Sequence, residues 1–224
     1  MTFSLIARCP TTGMYGVGAA TAMPAVGKLL THAHPRTGAI ATQARLNPYI
    51  GIDGIRLLKE GRDAAEVRDI LAATDPRAPA RQFAVIDRQA GTASWTGVEC
   101  IPWAGAVAGE GFSAQGNRLA GPQVLEAAAE AFRASAGKTL DERLMEALEA
   151  GDRAGGDKEG EKSATIYIVD QEEYPLWDVR VDAHRDPFGE LRRLHDIFSR
   201  ELLPEIKRMP TRLNPAGSAE EHEA

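Results

Sequence analysis

Cysteine is nearly missing from this chain, with Cys9 and Cys100 the only two. Two thiols so far apart in sequence exclude a disulfide framework and have no metal-type spacing. One disulfide stays open as an alternative; reduced thiols in a cytoplasmic protein are the expectation. Basic excess is missing too: the formal net charge is −6, which argues against a surface that must neutralise nucleic-acid phosphates. No apolar run approaches a membrane span, and no basic-then-apolar secretory signal opens the chain. What is present is an ordinary globular composition, 43% apolar and 26% charged over 224 residues. Such a length easily carries a large core.

The opening Thr2-Phe3-Ser4-Leu5-Ile6-Ala7-Arg8 alternates with period two, the sign of a half-buried strand. A turn at Cys9-Pro10-Thr11-Thr12-Gly13 leads to a small-residue strand, Tyr15 to Ala22. A terminus built into a sheet is tied down, so Thr2 is held in place. Removal of Met1 would leave Thr2 with a free α-amine beside its hydroxyl. An amine on the same residue can serve as the base that activates the hydroxyl, since its pKa of roughly 7.7–8.0 lies near neutrality. The plainer alternative is a β-forming residue that opens an edge strand.

His32-Ala33-His34 could share a metal on a strand edge but has no third ligand nearby, and reads as a polar loop or a solvated pair. Gly38 to Ala44 reads as a strand whose end masses Thr42, Gln43, Arg45 and Asn47 into a site rim, with Pro48 as its stop. Two helices follow, the second opened by Asp63 with Glu66 as a capping box. Strands are expected over 83–87, 92–97 and 104–110, then a polar loop over 112–117 that carries Gln115 and Asn117. Pro122 starts a third helix, and Thr139 with Glu142 is expected to cap a fourth. The glycine-rich stretch 151–163 resembles a phosphate loop only superficially. It follows a helix and precedes a strand, the reverse of what a phosphate loop needs. Strands over 164–169 and 176–182, a helix from Asp186 and a tail expected to be disordered from 210 complete the chain. Hairpins alternating with helix pairs suit two sheets with helical layers outside, an α+β fold.

Several separated motifs then carry a resemblance. Thr2 to Arg8, Ala25-Val26-Gly27, Gly38 to Ala44 with Asn47-Pro48, Arg81-Gln82, Gln115-Gly116-Asn117, Ala154 to Asp157 and Arg180-Val181-Asp182-Ala183-His184 occur in order. Together they resemble the DUF1028 family, from residue 2 to about 195. That family is classed as similar to the N-terminal-nucleophile (Ntn) hydrolases. The resemblance implies a four-layer αββα sandwich of two antiparallel sheets between helical layers, in a single domain over 1–209. It also implies amide hydrolysis of a small molecule, with Thr2 as nucleophile, its own amine as base, and amide groups as oxyanion donors. A non-catalytic small-molecule binder of the same fold is the alternative. A third reading is a different enzyme built on Asp152, Asp157, Asp182 and His184, with or without a metal.

The expected cleft lies at the sheet edge holding Thr2, lined by Thr42, Gln43, Arg45, Asn47, Gln115 and Asn117. The loop 151–163, with Asp157, Arg180, Asp182 and His184, is expected to offer a zwitterionic, amino-acid-like ligand bent backbone amides and charges of both signs. No metal or cofactor is expected, and no nucleic-acid or membrane partner. A homodimer or higher homo-oligomer is, with Trp103 and Trp177 at its contact.

Overall fold

The computed structural model describes residues 2–156 and 159–218. Its strands are β1 (Thr2–Arg8), β2 (Tyr15–Thr21), β3 (Thr31–His34), β4 (Gly38–Ala44), β5 (Arg81–Ile86), β6 (Thr92–Thr96), β7 (Gly105–Gly109), β8 (Phe112–Asn117), β9 (Ser163–Val169) and β10 (Trp177–Val181). Its helices are α1 (Pro48–Lys59), α2 (Ala64–Thr74), α3 (Gln123–Ala134), α4 (Leu140–Arg153), α5 (Pro187–Glu201) and α6 (Leu203–Ile206). The strands form a six-stranded sheet, β10-β9-β2-β1-β8-β7, and a four-stranded sheet, β3-β4-β5-β6. Every pairing is antiparallel.

Period-two alternation sorts the side chains into layers. Phe3, Leu5 and Ala7 point from β1 into a cluster with Val124, Leu125 and Phe132 of α3 and Leu144 and Leu148 of α4. Ile6 points the other way, into a cluster with Val17, Ala39, Ala41, Ala84 and Ile86 between the sheets. Ile40, Phe83 and Val85 face Ile50, Leu58, Val67 and Leu71 of α1 and α2. Three apolar layers between four structural layers make the αββα sandwich. Each fully buried large side chain contributes about 1.5–3 kcal/mol. Gly151 lets α4 lie against the sheet, because an added Cβ would stand 2.8 Å from the Phe3 ring.

The structure corrects several local expectations. Between the helices α3 and α4 and the second sheet, β1 is buried on both sides rather than half-buried, and it lies inside its sheet rather than at an edge. Residues 112–117 are not a polar loop but β8, paired with β1 and β7. Their polar side chains are buried because they meet polar partners across the sandwich. His32 and His34 belong to β3, and burial pulls the His32 pKa down. Pro48 starts α1 rather than ending a segment, since the first helical turn needs no amide hydrogen from it. Thr139 makes no side-chain cap bond. Trp177 is 5% exposed and stacks on the His195 ring at 4.5 Å, so it is not available to a partner; Trp103 is half-buried.

The capping box is formed: Asp63 accepts from the Glu66 amide at 2.9 Å and Glu66 from the Asp63 amide at 3.1 Å. Asp63→Ala is expected to cost about 1 kcal/mol. Urea unfolding with an unchanged slope will check it.

Candidate active site

Thr2 opens β1 between two partners, paired with Thr21 of β2 on one side and Asn117 of β8 on the other. Its hydroxyl lies 3.0 Å from that of Thr21. Its carbonyl accepts from the Gln43 amide at 3.4 Å. The same face of β1 carries Ser4, and here the space between the sheets turns from apolar to polar. Ser4 Oγ donates to Gln43 Oε1 at 2.7 Å and accepts from Gln115 Nε2 at 2.7 Å. Gln82 Oε1 accepts from Gln43 Nε2 at 2.8 Å and from Asn117 Nδ2 at 3.0 Å. Gln82 Nε2 in turn donates to the Gly116 carbonyl at 2.8 Å and the Thr96 hydroxyl at 3.0 Å. Ser4, Gln43, Gln82 and Gln115 are at most 1% exposed. A closed amide network of this kind fixes side chains that would otherwise be costly to bury.

Two clefts open beside Thr2 and share Met23 and Ala44. One, of about 340 Å³, is lined by Thr2, Gln43 and Lys28 and walled by Pro24, Val26, Leu29, Leu30 and Leu46. The other, of about 400 Å³, holds Asn117 with Arg45, Arg77, Arg118, Glu99 and Glu159. Arg77 pairs with Glu99 at 3.7 Å and Arg118 with Glu159 at 3.1 Å. The exposed Arg45 makes no ion pair among the described residues. Three non-glycine residues around these clefts hold left-handed backbone: Ala25 at φ 59°, Ala44 at φ 65° and Arg118 at φ 59°. Such conformations are disfavoured for residues bearing a Cβ and gather at functional sites.

A family model described as a family of unknown function, DUF1028, matches residues 2–191. The chain belongs to the DUF1028 family. A DUF1028 crystal structure from Silicibacter pomeroyi superposes with a TM-score of 0.90 at 28% identity, covering 98% of this chain and 99% of that one. Anbu (ancestral beta-subunit) from Yersinia bercovieri gives a TM-score of 0.41 at 11% identity, covering 93% and 98%. The comparison with curated proteins finds no match.

Within this DUF1028 chain the expected site residues divide sharply. Thr2, Gln43 and Asn117 come together, and Gln43 and Asn117 share one acceptor on Gln82. Gln115 stands behind them, locked to Ser4 and clear of both clefts. Thr42, one residue from Gln43, falls on the opposite face of β4 and bonds the Asn47 carbonyl at 3.3 Å. Asn47 is the cap of α1, accepting from the Tyr49 amide at 3.1 Å and donating to Asp75 at 2.8 Å. Arg45 does line the charged cleft.

Arg180 lies near Asp178 at 3.7 Å and Asp182 at 4.0 Å, outside both clefts. It braces the site from behind: an added Cβ on Gly27 would stand 2.7 Å from Arg180 Cδ. The Asp182 carbonyl accepts from the Ala25 amide at 2.8 Å, which anchors the cleft wall. His184 is exposed and bonds its own turn at Asp186. Asp157 lies outside the described residues. No group of three or more His, Cys, Asp or Glu side chains able to hold a metal occurs among the described residues.

Behind the rim, Arg81 donates to Asp75 at 2.9 Å and to the Arg45 carbonyl, which ties the wall of the charged cleft to α2. Burial alone would raise the Asp75 pKa; the bonds from Asn47, Arg81 and the Arg77 amide outweigh it and hold the carboxyl below its usual range. A folded-state pKa below the unfolded one adds stability above the unfolded value of about 3.9 and loses it as pH falls further. Asp75→Asn is therefore expected to cost about 1–3 kcal/mol near neutrality, with the gap to the parent closing below about pH 4. Unfolding measured at stepped pH will check both.

Proposed function

We propose that this protein is an amide hydrolase in which Thr2, freed by removal of Met1, is the nucleophile. The observation that carries the reading is the placement of Thr2: its backbone is paired on both sides, while its side chain lines a cleft. The free α-amine takes the hydroxyl proton as Oγ1 attacks the amide carbon. The oxyanion that forms accepts from Asn117, whose Nδ2 spends one N–H on Gln82 and keeps another. The amine then gives its proton to the departing nitrogen, and water hydrolyses the resulting ester. Thr21 and Gln43 orient Thr2 through its hydroxyl and its carbonyl.

The two clefts differ in character, and the substrate follows from that difference. The apolar walls near Leu29, Leu30 and Leu46 suit an acyl group, and Arg45 suits a carboxylate on the leaving amine. An N-acyl amino acid has this form. Incubation of the processed protein with a β-lactone bearing an apolar chain, followed by peptide mass spectrometry, tests the nucleophile. An adduct on Thr2 is expected. An unmodified Thr2 at full probe occupancy overturns the hydrolase reading and leaves the non-catalytic binder.

A further inference from the structure

At the far end of β1 from Thr2, Arg8 and Arg143 of α4 line one cavity of about 400 Å³, together with Pro10, Ala90, Glu110 and Phe132. Neither arginine forms an ion pair with a carboxylate of any described residue, and the Nε of each is buried without a hydrogen-bond partner. Arg143 is 8% exposed. Its Nη2 donates to the Phe132 carbonyl at 3.1 Å, and its guanidinium lies 3.9 Å from the Phe132 ring centre. Arg8 stands 5.9 Å over the Tyr15 ring. Burial pulls the Arg143 pKa down, with Cys9 pushing the other way. A guanidinium remains charged throughout the physiological range, and a buried charge without a counter-charge is costly to keep.

We infer that this cavity is a second ligand site, separate from the Thr2 cleft, that takes a small organic carboxylate. The paired guanidiniums suit a carboxylate head, which arginine grips through parallel hydrogen bonds. Phe132 and Pro10 offer apolar surface to the body of the ligand. Glu110, exposed at the rim, disfavours a doubly charged anion such as phosphate. Cys9 lies close enough to act on Arg143, and its own pKa is lowered: burial raises it, but hydrogen bonds at Thr11 and Thr12 outweigh that.

Titration calorimetry of the full chain with butyrate, against inorganic phosphate and sodium chloride at matched ionic strength, tests the site. Saturable butyrate binding is expected, weakened about tenfold in Arg8→Gln and in Arg143→Met, the worth of one charge-assisted hydrogen bond. If Arg143→Met fails to fold by circular dichroism, Arg8→Gln at the half-buried strand end decides alone. Absence of butyrate binding, or full affinity in Arg8→Gln, overturns the proposal. Phosphate binding more tightly than butyrate overturns the assignment to carboxylates.

Discussion

Thr2→Ala is expected to abolish amide hydrolysis while leaving ligand binding in place. Removing the nucleophile of a comparable acyl-transfer site costs about 10⁶ in kcat, which here means a rate at background. The fold should tolerate the change, because Thr2 is only half-buried and its cross-strand bonds are made by the backbone. The loss of one hydroxyl bond to Thr21 accounts for about 1 kcal/mol of stability. Release of the amine from a panel of N-acyl amino acids, read beside calorimetric affinity for the same compounds, separates the two effects. Substantial turnover in Thr2→Ala would place the chemistry elsewhere.

The second large effect is expected at Gln82, a residue the sequence presents only as half of an Arg-Gln pair. Gln82→Leu keeps the volume but removes the acceptor shared by Gln43 and Asn117, and the donor to Gly116 and Thr96. Each buried polar group stranded in this way costs about 1–3 kcal/mol, so a loss of about 3 kcal/mol or more is expected. Thermal unfolding should show it. Activity should fall as well, because Asn117 and Gln43 lose the atom that orients them. A variant as stable as the parent would mean that water or a rearranged amide replaces Gln82, and that the network is not fixed.

Why Gln82 escapes a reading of the sequence is instructive. A lone buried amide leaves no trace in hydropathy, and its partners come from strands far apart in the chain. Residues 112–117 were more legible than a polar loop suggests. Phe112, Ala114 and Gly116 alternate with Ser113, Gln115 and Asn117, the period of a strand. Polarity masked that period, because the polar face is buried against an equally polar one. The error at Thr42 has a similar origin. Massing Thr42 with Gln43 ignores the alternation that sends neighbours to opposite faces of β4. The layered α+β plan and the capping box at Asp63 were legible, because each follows from local periodicity or cap chemistry. The strained backbone at Ala25, Ala44 and Arg118 was not. Alanine and arginine give no sign of a left-handed conformation that tertiary packing imposes.

The proposed mechanism requires a free amine at Thr2, and the mass of the intact protein purified from its native host tests that directly. A mass lower than the full sequence by one methionine residue, with threonine as the first residue in N-terminal sequencing, is the predicted result. A chain that retains Met1 quantitatively has no α-amine on Thr2, and that result would contradict the mechanism outright.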